Sequence, residues 1–81
     1  MRAGNEKTGV HADSAERWYA GDIQEIPDVR HWTRSTLLAA GIPRTVVEDA
    51  ELCAAELAAN AVRHVGGEFR VTLSFARSRL R

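Results

Sequence analysis

Four side chains close together in the sequence could do chemistry as a group: Glu56, Asn60, Arg63 and His64. Between Leu52 and Val62 every residue except Glu56 and Asn60 is apolar. A spacing of four puts the acid and the amide on one face of a helix, one turn apart, and Arg63 and His64 extend that stripe. A helix that is apolar nearly all round is expected to be buried. A carboxylate carried into such a setting is costly unless paired, because burial disfavours the charged form. A carboxylate so placed could take a proton from an attacking hydroxyl. A neutral amide oxygen suits Mg²⁺ beside an anionic phosphate cluster, and an arginine can grip phosphate oxygens bidentately. Together these groups make a phosphoryl-transfer constellation, with Glu56 as base, Asn60 as metal ligand and Arg63 near the phosphates. The spacing alone favours an exposed i,i+4 polar contact on an alanine-rich bundle helix over such a site.

The rest of the chain sets limits on this reading. Its 81 residues make one domain or part of one. Eleven basic and eleven acidic side chains cancel to a formal net charge of +0. The arginines are scattered, so neither a nucleic-acid surface nor a membrane surface is expected. No apolar run approaches the ~18 residues of a bilayer span, and the N-terminus has no signal-peptide core, so a cytoplasmic location is expected. The single cysteine, Cys53, lies among alanines and leucines and is expected to be a small buried hydrophobe.

The elements that must position the stripe can be read in order. Residues 1–15 are polar and aperiodic and read as a disordered tail, with His11 solvated. Residues 17–19, Arg-Trp-Tyr, could form an edge strand ending at Gly21-Asp22. Pro27 opens a first helix, in which Val29, Trp32, Thr36, Leu37 and Ala40 make the apolar face. Arg30, His31, Arg34 and Ser35 take the other side, and Gly41 with Pro43 ends the helix. A second helix begins at Pro43, or at a capping box Thr45-Val46-Val47-Glu48, and runs to Val65 before Gly66-Gly67. Phe69, Val71, Leu73 and Phe75 alternate with Arg70, Thr72 and Ser74, the pattern of a strand with one face buried. Ala76-Arg77-Ser78 would turn into a returning strand at 79–81.

The segment Glu56-Leu57-Ala58-Ala59-Asn60-Ala61-Val62-Arg63-His64 resembles the N-box of the GHKL superfamily of Bergerat-type ATPases. More narrowly it is similar to the E-L-x-x-N-A-x-x-H form found in bacterial anti-sigma-factor and regulatory serine/threonine kinases. Asp28 to Leu37, with Arg30 and Arg34 as an Arg-x-x-x-Arg pair, resembles that family's first helix. Val46 to Leu52 resembles the lead-in to the N-box, and Glu68 to Phe75 the strand after it, so Trp18 to Phe75 is covered.

The resemblance implies an α+β fold: the N-terminal half of a Bergerat-type sandwich over residues 16–81, two helices packed on a small antiparallel sheet. It implies ATP and Mg²⁺ as ligands, Glu56 as catalytic base, Asn60 as magnesium ligand and Arg63 beside the phosphates. Ala61 would let the adenine side of the pocket approach. Partners would be a sigma factor or an antagonist protein, or a second copy in a homodimer. Two departures matter. Ala55 stands where many relatives have serine, and the 81 residues contain neither the D-x-G-x-G box that reads adenine nor the lid. Weak or no ATP binding by this chain alone is therefore expected, as for a fragment of such a kinase. The alternatives are a non-catalytic half-domain that serves protein–protein interaction or dimerisation, and an unrelated small helical protein with a coincidental ExxxNA.

Overall fold

A computed structural model describes residues 8–10 and 14–75. The expected solvated His11, the turn at 76–78 and the returning strand at 79–81 fall outside those residues. The fold is α+β, with two helices packed on a small antiparallel sheet. The elements are β1 (Thr8–Val10), β2 (Ser14–Tyr19), α1 (Ile26–Ala39), α2 (Arg44–His64) and β3 (Phe69–Ser74). The strands lie in the order β1-β2-β3, both pairings antiparallel.

Two expectations about the N-terminal part need correction. The polar tail assigned to residues 1–15 contains β1, and Ser14 and Ala15 already belong to β2. The strand around Trp18 is also the middle of the sheet rather than its edge, since β1 and β3 flank it. Along it the side chains alternate: Ala15 and Tyr19 point under the helices at 1% and 5% exposure, while Trp18 faces outward. On that outer face the Arg70 guanidinium lies 5.4 Å from the Trp18 ring centroid and 3.5 Å from Glu16. Cross-strand contacts of this kind fix the register Trp18↔Arg70.

The chain leaves β2 through a tight cap. Asp22 accepts from the Gln24 N–H at 2.9 Å, and Glu25 accepts from the N–H groups of Asp22, Gly21 and Ala20 at 2.9, 3.0 and 3.2 Å. This is a capping box around a single 3₁₀ turn, Ile23–Glu25, which hands over to α1 with Pro27 in its first turn. Those backbone donors, Asp22's first and then those of Ala20 and Gly21, hold the Glu25 carboxyl below the usual carboxylate range.

Val29, Trp32 and Leu37 are buried along α1 as the periodicity expects, and Thr33 joins them at 0% exposure with its Oγ1 unpartnered. Thr36 and Ala40 are only half-buried. Gly41, at φ +83°, turns the chain out of α1 in the left-handed conformation expected of it.

Pro43 is the N-cap residue of α2, and the proposed Thr45–Glu48 capping box is not formed. A proline there needs no donor of its own, and its oxygen accepts from the Val47 N–H at 3.0 Å. Val47, Ala54 and Ala58 are the buried residues of α2. Tyr19, Val29, Ala54 and Ala58 form one cluster, with Ile26, Phe69 and Val71 packed against it. Arg34, expected on the polar side of α1, reaches Glu51 of α2 at 3.0 Å. That pair locks the helices together and, with the guanidinium 39% exposed, contributes on the order of 1 kcal/mol.

Candidate functional site

The site is built on α2. Alanine at 54, 55, 58, 59 and 61 gives strong helix propensity and allows close approach on one side. The helix therefore presents Glu56, Asn60 and Arg63 as a rigid row. Arg63 Nη2 donates to Asn60 Oδ1 at 2.7 Å, a charge-assisted bond that links the two residues one turn apart. The oxygen expected to ligate a metal is thus already engaged by a guanidinium. A cation could take that oxygen once Arg63 swings away.

Glu56, Asn60, Arg63 and His64 are all exposed. The expectation that a helix apolar nearly all round is buried, its acid and amide with it, is therefore corrected. Among the described residues, α1 and the sheet cover one flank of the helix, the one that carries Val47, Ala54 and Ala58. Leu52, Leu57 and Val65 stand more than half exposed at 57%, 63% and 66%. Cys53 is exposed too, not the small buried hydrophobe its neighbours suggested. Apolar neighbours in sequence do not bury a residue when nothing packs over that side.

Between α2 and β3 lies an open groove of about 360 Å³, floored by Ala54, Ala58 and Phe69 with Leu57, Cys53 and Ala61 along one wall. Seven residues at ~100° each return almost to the start, so Asn60 lies within about 20° of Cys53 around the helix axis. Asn60 is thus at the groove's rim and Glu56 sits further round, while neither lines it. The periodic apolar face of β3 is half-buried rather than buried, because it forms the opposite wall.

Among the described residues no group of three His, Cys, Asp or Glu is placed to hold a metal. Any divalent ion at Asn60 would need most of its ligands from phosphate oxygens and water, which is how Mg²⁺ ordinarily binds beside nucleotides. No helix among the described residues is long and apolar enough to cross a membrane. No protein-family model, curated protein or solved structure matches the chain.

A second polar cluster, not expected from the sequence, lies between β2 and α1. Tyr19 donates from its hydroxyl to Asp28 Oδ2 at 2.9 Å, and Arg17 lies 3.6 Å from the same oxygen and 5.7 Å from the Tyr19 ring centroid. Tyr19 also stacks on Phe69 at 5.6 Å. Burial, then the hydrogen bond and negative charge of Asp28, push the phenol pKa up, with Arg17 opposing. The cluster ties β2 to α1. Its signal was the i,i+2 placement of Arg17 and Tyr19, which puts both on the helix-facing side of the strand.

A pH dependence follows. A phenol whose pKa is raised by folding stabilises the fold fully below its unfolded value of 10.0, and that contribution is lost as pH climbs above it. Tyr19 is the single tyrosine of the chain. Urea midpoints should fall from pH ~10 upward in the wild type. In Tyr19→Phe the curve should start about 1 kcal/mol lower for the lost hydrogen bond and decline less over that range. Parallel curves would show that Tyr19 does not carry the linkage.

Proposed function

We propose that this chain carries one wall of a Mg-ATP site of the anti-sigma-factor or regulatory serine/threonine kinase kind, with the residues arranged as in a GHKL N-box. Asn60 is the metal ligand, Arg63 meets the phosphates and Glu56 is the base for a protein hydroxyl in a completed site. The setting is cytoplasmic. The observation that supports this most is the row itself: three side chains on one exposed edge of a rigid helix, with Arg63 already bound to the Asn60 oxygen. An arriving triphosphate offers Arg63 a stronger acceptor and frees that oxygen for the metal the phosphates bring.

The affinity this wall supplies is small. One neutral metal ligand and one exposed arginine hold a nucleotide with a Kd of about 1 mM or weaker, roughly −4 kcal/mol. Amide-resolved NMR with Mg-ATP tests the reading. Shifts are expected at residues 56–64, approaching saturation only in the millimolar range, diminished without Mg²⁺ and absent in Asn60→Ala. Shifts scattered over the molecule, or unchanged by that substitution, would refute it.

A further inference from the structure

We draw no further inference here: the strongest candidate, the apolar groove between α2 and β3 floored by Ala54, Ala58 and Phe69, carries none because nothing in the structure shows what covers it.

Discussion

Gly21→Ala is expected to lower stability by about 2–4 kcal/mol. Gly21 sits at φ +102°, a conformation that side-chain-bearing residues rarely adopt. A Cβ there would also lie 2.5 Å from the Gly67 carbonyl oxygen and 2.9 Å from its carbon. Those neighbours are backbone atoms and cannot rotate aside. This contact joins the turn before α1 to the turn after α2, so it fixes the end of the helix that carries Arg63. Total stability for 81 residues is about 4–12 kcal/mol, and the loss is a large fraction of it. Gly67→Ala serves as the control, because its Cβ meets nothing within 4 Å and its φ is not positive. Thermal melts of the two variants should differ widely, with Gly67→Ala near wild type. Equal melts would mean that the turn-to-turn contact is not made.

Trp32→Ala should be at least as damaging, by about 3–5 kcal/mol. Trp32 is 7% exposed and is the largest buried side chain of α1. Removing it deletes a double ring and leaves a cavity that a two-helix layer can close only in part. His31→Ala, one position away and exposed, should change stability within about 0.5 kcal/mol. Chemical denaturation of both variants checks the pair of expectations. A mild Trp32→Ala would place the indole outside the core.

The helices were legible in the sequence because their signals are local. Pro27 and Gly41 bracket α1, Gly66 ends α2, and the apolar spacing of Val29, Trp32 and Leu37 names the face that is buried. The alternation after Gly67 gave β3 for the same reason. What the sequence hid was long-range. That Thr8–Val10 pairs with residues 15–17 depends on a partner strand, and a short polar strand has no period of its own. Thr45–Glu48 carries the capping-box signature, but so does Asp22-Ile23-Gln24-Glu25, which is where the box forms. Both segments carry a small polar residue and, three positions on, a glutamate. Pro43 settles the start of α2 by a different route.

The candidate site was legible as a row and not as an orientation. Spacing placed Glu56, Asn60 and Arg63 together, and the Arg63–Asn60 bond joins two of them. Apolar composition says what a helix could bury and not whether anything covers it. Leu52, Leu57 and Cys53 are the residues on which the expectation of burial failed, since all three are exposed. Thr33 is a different miss: a polar residue at full burial with an unpaired hydroxyl has no sequence signature, because its neighbours on α1 decide it.

The claim that Asn60 offers its amide oxygen to the metal of a bound triphosphate is tested most directly with Mn²⁺ in place of Mg²⁺. Sub-stoichiometric Mn-ATP should broaden the Asn60 side-chain amide first, then the backbone amides of residues 56–64, and Asn60→Ala should abolish that local effect. Broadening centred on Asp22, Glu25 or Asp28, or persisting at α2 without the Asn60 side chain, would contradict the assignment.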